Sequence, residues 1–544
     1  MSKIYDTSKT LAFKYFALFY IVAMFLPRLV VQGLFGDGLL YSSISRNMAI
    51  GKGSLWQPFF SSSYWLDNVP PIYYENPPLM LWMQSFFFQI MGDYWWVEKV
   101  YSLVILLLNC WLMLKIWQLF EQKKRVNLMG LGCLVLVFWY LMPRVLWGNP
   151  NNLMDNNLLT FCLLSIFFIF KAMLLQPQNV DGLKNVNKAS NIENVGKVSN
   201  LADVDGQINT PPVSDQISHF ITQYSSFIIH HSSLGIAGFC IFLGILTKGP
   251  VALYPLAMPV LWAFFTKGIS IKKAVIYTVV LTAISSLLFV GLLYLNPVAK
   301  TYFGIYWEQR LLAVIVGSRD DMRLSGWQHF EILETLFVEL LPILIVFLIA
   351  YSILKFKKIS IEIPRKYINL GVFFLFLGFA ATLPIMVSTK QSGIYLIPGL
   401  PMFAFSAAFF ALPFFERLVN LKMFDAFALR FKYFSWLGLT VSLIYSAVIA
   451  GSFDRDKLLL SDVENLKKII PQDAKVGVCF EMMDNFVFHV NLQRFCRFEL
   501  RKYTPTDYFL TRKIECDSVH RDSLLSLGFK PVDINNQYFT IYKK

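Results

Sequence analysis

Three carboxylates stand at the ends of long apolar stretches, which makes them the first candidates for chemistry. Asp37 follows the first apolar stretch in FGDGLLYSSISRNM, Glu75 precedes a double proline in YYENPPLMLW, and Asp155 lies in the turn GNPNNLMDNNLL. Charged side chains at a boundary between water and lipid are costly and often functional. Carboxylates in such places can accept a proton or balance a positive charge.

Four basic residues accompany these carboxylates. Lys248 occurs in LTKGPVALYP and Lys390 in STKQSGIYLIPGLP, each where the chain turns between two apolar stretches. Arg46 follows Asp37 in one segment, and Arg310 belongs to the charged run WEQR. A phosphate group at the membrane surface would explain both lysines. The alternatives are lysines that snorkel toward water and a solvated charge cluster around Arg310.

Neighbouring aromatic residues leave two interpretations open. In a helix, Asp37 and Tyr41 share a face, with Arg46 beside it, as expected for residues four apart. Alternatively, Asp37 is the N-terminal charge of an interfacial helix, favoured by the helix dipole. Tyr74 and its aromatic neighbours would then form an interfacial belt. The turn around Asp155 is rich in Asn, which needs no function to explain it.

The composition identifies the elements that must position these residues. The chain has 544 residues, of which 56% are hydrophobic and 15% charged, with 51 Phe and 13 Trp. Soluble domains are typically about 45–50% apolar and about 25% charged. These values exclude an ordinary soluble enzyme and predict a polytopic α-helical membrane protein. The net charge of +14 then indicates topology, because basic residues of membrane proteins collect in cytoplasmic loops.

About eleven apolar segments are long enough to cross the hydrocarbon, which takes about 17–25 residues. The first lacks a cleavage site and is expected to be a retained anchor. The predicted spans lie near residues 12–34, 99–120, 128–146, 157–175, 226–246, 250–266, 274–295, 330–354, 368–387, 394–415 and 434–452.

Basic clusters fix the predicted orientation of these spans. Lysines precede the first span, and Lys/Arg clusters follow the second, sixth and eighth, so all fall on one side if the spans simply alternate. The positive-inside rule makes that side the cytoplasm. The opposite, extracytoplasmic side then receives four loops or turns and the tail. They are 35–98, 147–156, 296–329, 388–393 and the tail 453–544.

Two segments depart from the membrane pattern. Residues 176–218 are rich in Asn, Ser and Lys and poor in aromatics, which predicts a disordered cytoplasmic insert without chemistry. The tail 453–544 begins with a capping-box pattern, Ser461 with Glu464, and continues with strand-like runs such as KVGVCF, NFVFHV and YFTIYKK. It is predicted to be a small α/β domain. Its three cysteines allow three single disulfides or none.

Several of these motifs occur in the order typical of one family. The run Asp37-Gly38-Leu39-Leu40-Tyr41-Ser42-Ser43-Ile44-Ser45-Arg46-Asn47-Met48 resembles DExxYxxIxREM, with glycine in place of the second acid. Glu75-Asn76-Pro77-Pro78-Leu79-Met80-Leu81-Trp82 resembles EKPPLxxW, with asparagine in place of lysine. Met154-Asp155, Lys248-Gly249-Pro250 and the run from Lys390 to Pro401 around Tyr395 match later motifs. The chain, over most of 12–450, therefore resembles the GT-C glycosyltransferases of the branch containing protein O-mannosyltransferases and lipid A aminoarabinose transferases.

The resemblance implies a fold, a donor and a location. It implies a GT-C-like membrane domain over 1–452, and a sugar transferred with inversion from a polyprenyl-phosphate donor to an extracytoplasmic acceptor, which is a lipid A, a protein or a glycan. No nucleotide-binding glycine fingerprint is present, in keeping with a lipid-linked donor and no nucleic acid partner. The location implied is the bacterial inner membrane, with the active site and tail on the periplasmic side.

The resemblance also implies roles for the candidate residues. Asp37 would be the general base or would orient the acceptor, Asp155 would position the acceptor or stabilise positive charge, and Glu75 would hold its loop or an optional divalent cation. No other cofactor is implied. The residues expected to bind the donor phosphate are Lys248, Lys390, Arg46 and Arg310, and those expected to line the pocket are Tyr41, Tyr74 and Tyr395.

Two departures from the family pattern limit these roles. Aminoarabinose transferases associate a glutamate with a downstream histidine at a zinc site, whereas the corresponding region here reads Trp307-Glu308-Gln309-Arg310, which disfavours the metal. Asparagine at position 76 removes one expected phosphate contact. The rival functions are a flippase or transporter for a lipid-linked oligosaccharide and a polysaccharide polymerase or ligase. A transporter would place charges within its spans, and here the charges gather at one face.

Overall fold

The computed structural model describes residues 7–61, 72–122, 132–174, 232–313, 326–388, 391–419, 422–502, 506–514 and 516–544. Up to residue 449 the described chain is helical apart from a two-stranded ribbon, and a five-stranded sheet follows in the tail. The predicted insert 176–218 and the candidate Lys390 lie outside the described residues.

The helices of the membrane part are named in chain order. They are α1 Thr7–Leu29, α2 Gly36–Ala49, α3 Leu79–Met91, α4 Val97–Gln122, α5 Cys133–Leu141, α6 Pro143–Gly148, α7 Met154–Leu174, α8 232–248, α9 Met258–Thr266, α10 Ile271–Leu295, α11 Pro297–Tyr306, α12 Glu331–Phe356, α13 Arg365–Thr382, α14 Leu400–Val419 and α15 Lys422–Ile449. Short 3₁₀ or π-helical turns lie at Asn149–Asn151, Gly249–Ala257, Trp307–Leu312, Gly326–Phe330, Leu383–Val387 and Gly393–Leu396. The ribbon pairs β1 Gly53–Ser54 with β2 Gln57–Pro58.

Eight stretches of the described residues are long and apolar enough to cross a membrane. A polytopic helical membrane protein is thereby confirmed, whereas the predicted number of eleven spans is not. The described part of the predicted span 226–246 and the predicted span 250–266 fall within one apolar stretch, Ser232–Thr266, in which α8 ends before Gly249. The eight stretches are Ala12–Leu29, Val97–Glu121, Met154–Leu174, Ser232–Thr266, Ile271–Leu295, Gln328–Phe356, Arg365–Val387 and Ala428–Ile449.

An aromatic layer joins five of the membrane helices. The ring of Phe120 on α4 lies 5.0 Å from that of Phe170 on α7 and 5.5 Å from that of Phe409 on α14. Trp262 on α9 lies 5.3 Å from Phe170 and 5.1 Å from Phe373 on α13. Each such pair contributes about 0.5–1.5 kcal/mol beyond its buried area. The layer holds these helices together. It thereby also fixes the helix ends that carry the candidate residues.

The tail forms an α/β unit, as predicted. Its strands are β3 Lys475–Val478, β4 Glu499–Lys502, β5 Tyr508–Arg512, β6 Lys530–Val532 and β7 Phe539–Lys543, in the spatial order β4-β3-β5-β7-β6. Strand β3 is parallel to β4 and β5, whereas β7 is antiparallel to β5 and β6. Its helices are α16 Lys457–Lys467, α17 Phe480–Asp484, α18 Phe486–Asn491 and α19 Asp517–Ser526, with a π-helical turn at Leu492–Cys496.

Two local predictions for the tail are wrong. The run NFVFHV was predicted to be a strand but forms α18, because the Asn485 side chain caps the helix by accepting a hydrogen bond from the Phe488 amide at 3.3 Å. Short apolar runs fit either structure when taken alone. The helix predicted to begin at Ser461 begins at Lys457 instead, and Glu464 forms an ion pair with Lys467 at 2.6 Å.

One of the possible disulfides is present in the tail. Cys479 and Cys516 are bonded, and Cys496 is a buried free thiol. The bond joins the residue after β3 to the residue before α19, so it ties a strand of the sheet to a helix.

Candidate functional site

A cavity of about 590 Å³ lies where α8, the turn after it, the π-helical turn at 307–312 and the end of α13 meet. The cavity is lined by three charged side chains, those of Lys248, Arg310 and Glu75, and by a larger number of apolar residues. The residues lining it are Glu75, Asn76, Lys248, Pro250, Val251, Leu253, Tyr254, Tyr306, Arg310, Leu311, Ala380, Ala381, Pro384, Ile385, Val387, Ser388 and Tyr395.

Lys248 and Asp155 form an ion pair beside the cavity. The Lys248 Nζ lies 2.5 Å from Asp155 Oδ2, and the two side chains are only 10% and 3% exposed. The same Nζ lies 4.8 Å from the centre of the Tyr395 ring, within the range of a cation–π contact. Asp155 begins α7 and Lys248 ends α8, so the pair joins opposite ends of two antiparallel helices.

The Asp155 carboxylate retains capacity for a ligand. Within the described part of the chain, its second oxygen, Oδ1, is buried and has no hydrogen-bond partner. A buried acceptor without a donor is costly. The oxygen therefore keeps capacity for a hydrogen bond, although Asp155 itself does not line the cavity.

The turn after Lys248 depends on glycine. Gly249 has φ +70°, a conformation that L side chains rarely adopt, and a Cβ there would lie 2.6 Å from the Tyr306 hydroxyl oxygen. Pro250 follows directly and cannot continue the hydrogen bonding of α8. The Lys-Gly-Pro sequence thus ends α8 with Lys248 at the cavity. Because Gly249 has no side chain, the Tyr306 hydroxyl lies directly beside this turn.

Glu75 is held at the cavity by Arg310 and by the loop that carries it. The Arg310 guanidinium contacts the Glu75 carboxylate, and both side chains are less than one-fifth exposed. The Tyr302 hydroxyl lies 3.0 Å from the Tyr73 carbonyl oxygen and 2.7 Å from that of Asn76. Asn76 donates to the Tyr73 hydroxyl at 2.8 Å. The asparagine found in place of the expected lysine therefore fastens the loop.

Among the residues that the structure describes, those around Glu75 do not fit a metal centre. Arg310 supplies the positive charge that compensates this carboxylate. In the described ranges, one group of three potential ligands lies close enough to share an ion, namely Cys479, Glu481 and Cys516. Its two cysteines are joined as a disulfide, and it lies in the tail.

Helix α2 packs directly on the turn that leads to Asp155. A Cβ on Gly38 would lie 2.1 Å from the Asn151 carbonyl oxygen, a distance that no side chain could tolerate. Asn152 donates to the Ser42 hydroxyl at 3.0 Å and accepts from Gln84 at 3.0 Å. Close packing therefore explains the glycine where the family pattern has a second acid, and it brings the helix that carries Asp37 against the helix that carries Asp155.

Tyr41 links the two carboxylates electrostatically. Its hydroxyl is buried, and burial is the main reason why the pKa of this phenol lies well above its usual value. Neighbouring groups raise the pKa further, in the order Tyr73, Asp37, Asp155 and Tyr395. Asp37 and Asp155 therefore both lie within electrostatic reach of one phenol, although Asp37 itself does not line the cavity.

The remaining candidates are distributed as follows. Tyr74 does not line the cavity, but its ring lies 5.2 Å from that of Tyr302 behind the Glu75 loop. Arg46 lies away from the cavity. Its guanidinium is fully buried, pairs with Asp93 at 3.1 Å, and donates to the Gln493 carbonyl oxygen at 2.9 Å.

Sequence reasoning missed several residues that shape the site. Tyr302 and Tyr306 come from the helix before Arg310, and Asn152 and Gln84 form the buried polar network beneath α2. An available signal was the unusual number of polar residues in apolar surroundings, such as Gln84 in LMLWMQSFFF. Buried amides of this kind are normally hydrogen-bonded.

Comparisons with known proteins identify the fold. No family model matches the chain, and no curated protein matches it in sequence. The chain superposes on ArnT from Cupriavidus metallidurans bound to undecaprenyl phosphate with a TM-score of 0.56 and 13% identity, covering 98% of this chain and 97% of that one. For the apo state of the same protein the TM-score is 0.55 and the identity 14%, with 97% and 96% covered.

A further solved structure is that of the archaeal oligosaccharyltransferase AglB from Archaeoglobus fulgidus, with a TM-score of 0.45 and 12% identity over 97% of this chain and 74% of that one. ArnT, the lipid A aminoarabinose transferase, is a GT-C fold enzyme. The GT-C-like fold implied by the sequence motifs is therefore confirmed.

Proposed function

We propose that this protein is an integral membrane glycosyltransferase that transfers a sugar from a polyprenyl-phosphate donor to an acceptor outside the cytoplasm. The observation that carries the proposal is the cavity, whose lining combines the cations Lys248 and Arg310 with many apolar side chains. A lipid phosphate has the same division between an anionic head and an apolar chain.

The fold neighbours support this donor class. ArnT, whose fold the chain shares over nearly its whole length, is known in complex with undecaprenyl phosphate. The apolar residues at the open side of the cavity, such as Leu253 and Val387, are 38% and 65% exposed. In a bilayer these side chains would face lipid, so a polyprenyl chain could enter from the membrane.

We assign the donor phosphate to the cationic side chains that line the cavity. A lysine ammonium carries three N–H donors, and Lys248 directs one of them to Asp155, which leaves two for phosphate oxygens. Arg310 lies beside the same space, and Lys390 is kept in this set from its sequence motif. Fixed cations stabilise the charge that grows on a departing phosphate better than water does. Arg46, which is buried elsewhere, is left out of the phosphate set.

Transfer is proposed as a single displacement with inversion. The acceptor hydroxyl oxygen attacks the anomeric carbon, and the bond from that carbon to the phosphate oxygen breaks. The electron pair of this bond leaves with the polyprenyl phosphate. Asp37 takes the hydroxyl proton, and Asp155 Oδ1 accepts a hydrogen bond from the sugar or the acceptor. A positioned base of this kind typically contributes 10²–10⁴-fold.

The location proposed is the bacterial inner membrane, with the cavity and tail on the periplasmic side. Lys248 contacts Asp155 and lines one cavity with Glu75, and the sequence predicts that all three lie on the side opposite to the basic loops. The acceptor, whether lipid A, protein or glycan, would then approach from the periplasm.

The proposal is tested with purified protein in nanodiscs supplied with polyprenyl-linked lipids extracted from its source cells. Mass spectrometry should detect free polyprenyl phosphate released by the wild type and much less by Lys248→Met. The matched control is Lys300→Met, a nearby exposed lysine, which should behave as wild type. Redistribution of intact lipid-linked sugar across the bilayer, without release of polyprenyl phosphate, would replace the transferase with a flippase.

A further inference from the structure

A short segment of the tail contacts both ends of α2. We call residues 486–496, which comprise α18 and the π-helical turn after it, the tail clamp. At the start of α2, a Cβ on Gly36 would lie 2.6 Å from the Phe486 ring. Near the end of α2, Arg46 donates to the carbonyl oxygens of Gln493 at 2.9 Å and Arg494 at 3.4 Å. The clamp therefore holds the helix that carries Asp37 at two points.

Buried charges fasten the clamp to the membrane part. Arg494 pairs with Glu98 at 2.8 Å and with Asp93 at 2.7 Å, and Asp93 also pairs with Arg46 and Arg497. The side chains of Arg46, Arg494 and Glu98 are 0%, 2% and 1% exposed. Buried ions of this kind tolerate little displacement, because each loses its compensation when a partner moves.

On the side of the membrane helices, α2 carries Asp37 and packs next to Asp155. Asp37 lies in the first turn of α2, one residue from Gly36. Gly38 touches the turn before Asp155, with no room for a side chain between them. Because a helix of 14 residues moves as a rigid rod, a shift at either clamped end changes the separation of Asp37 from Asp155.

We propose that the tail clamp sets the position of Asp37, with Arg494 as the positioning residue. This inference rests on the proposed function for its catalytic consequence. The tail is then part of the catalytic unit and not an appended module. Phosphate binding depends on other elements, because Lys248 and Arg310 stand on α8 and on the turn at 307–312.

Because the tail clamp and the phosphate-binding residues lie on different elements, a variant of the clamp can be tested for turnover and for lipid binding separately. Arg494→Lys keeps the charge but loses the forked contacts to Asp93 and Glu98. It should lower the turnover of lipid-linked sugar at least tenfold and leave the Kd for undecaprenyl phosphate within twofold of wild type. The matched control is Arg521→Lys, at an exposed arginine on α19. This change should alter neither the turnover nor the Kd for undecaprenyl phosphate. Wild-type turnover in Arg494→Lys, or loss of lipid binding in parallel with turnover, would overturn the proposal.

A second test uses the contact between Gly36 and Phe486. Gly36→Ala introduces a methyl group that meets the ring, and Phe486→Ala removes the ring. Each single variant should lower turnover. The turnover of the double variant should be at least threefold higher than the value expected if the two single effects multiplied, as for residues in contact. The control Gly291→Ala has open space around its Cβ. If the effects of Gly36→Ala and Phe486→Ala on turnover simply multiplied in the double variant, the proposed role of the tail clamp would be wrong.

A third readout needs no substrate. Hydrogen exchange of the α2 amides should be faster in Arg494→Lys than in wild type, whereas that of the amides in 258–266 should be unchanged. Wild-type protein that neither binds undecaprenyl phosphate nor releases it from a lipid-linked sugar would overturn the proposed function alone. Unchanged exchange in α2 would overturn the clamp, whatever the activity.

Discussion

Replacing Lys248 with methionine removes the ammonium that neutralises Asp155 but keeps an unbranched side chain, one atom shorter. The Asp155 carboxylate is 3% exposed, so the change leaves a buried charge without compensation. Breaking a buried pair in this way typically costs about 3–5 kcal/mol. We therefore expect Lys248→Met to lower the free energy of unfolding by about this amount.

The double variant Lys248→Met/Asp155→Asn separates structure from binding. It removes both charges, so most of the lost stability should return. The affinity for lipid phosphate should not return, because the proposed hydrogen bond from Lys248 to the phosphate is still missing. A charged hydrogen bond contributes about 1.5–3 kcal/mol, which corresponds to about 10- to 100-fold in Kd.

Two measurements check this pair of variants. Unfolding in detergent micelles gives the stability of each, and titration with undecaprenyl phosphate, followed by native mass spectrometry, gives the affinity. A double variant that binds undecaprenyl phosphate as tightly as wild type would refute the contact between Lys248 and phosphate. A single variant as stable as wild type would refute the buried ion pair.

Three further predictions concern other parts of the molecule. Asp37→Asn should slow transfer about 10²–10⁴-fold without weakening undecaprenyl phosphate binding; a wild-type rate in a steady-state assay would end its role as the base. Treatment with EDTA should leave transfer unchanged, because Arg310 already balances Glu75; activity lost on chelation and restored by Zn²⁺ would contradict this. Burial lowers the pKa of His489 from 6.5 to about 3. Between these values the unfolded chain binds a proton that the folded protein does not, so stability falls as the pH falls, by up to about 1.4 kcal/mol per unit. His489→Phe should flatten that slope in pH-dependent unfolding, and an unchanged slope would assign it to other groups.

The level of the candidate residues in the membrane could be predicted from the sequence. Apolar length and the distribution of basic residues placed Asp155 and Lys248 at one boundary, and the structure brings them into contact at 2.5 Å. The partner of Glu75 could not be predicted in the same way. Glu75 and Arg310 are far apart in the chain, and the packing of α11 against the Glu75 loop through Tyr302 brings them together.

Arg46 shows how sequence proximity can mislead. It is nine residues beyond Asp37, which amounts to about 13 Å along a helix at 1.5 Å per residue. Its side chain therefore reaches the tail clamp and not the cavity. The carboxylates that surround it include Asp93, whose pKa burial alone would raise but which Arg494, Arg46 and Arg497 together hold at about 2.

The tail illustrates a second limit of sequence patterns. The strands at 475–478 and 539–543 followed from their β-branched and aromatic residues, whereas NFVFHV formed a helix. The alternation of this run is too short to distinguish the two structures. The Asn485 cap favours the helix, and α18 also packs on α2 through Phe486, a tertiary contact that is absent from a local pattern.

The most direct test of glycosyl transfer compares cells expressing the wild type with cells expressing Asp37→Ala. Mass spectra of their lipid A, envelope glycans and secreted glycoproteins would report the acceptor and the sugar together. The proposed function predicts a sugar-sized mass that is present in one of these fractions with the wild type and missing with the variant. Identical spectra in every fraction, with lipid-linked intermediates redistributed across the membrane, would contradict it.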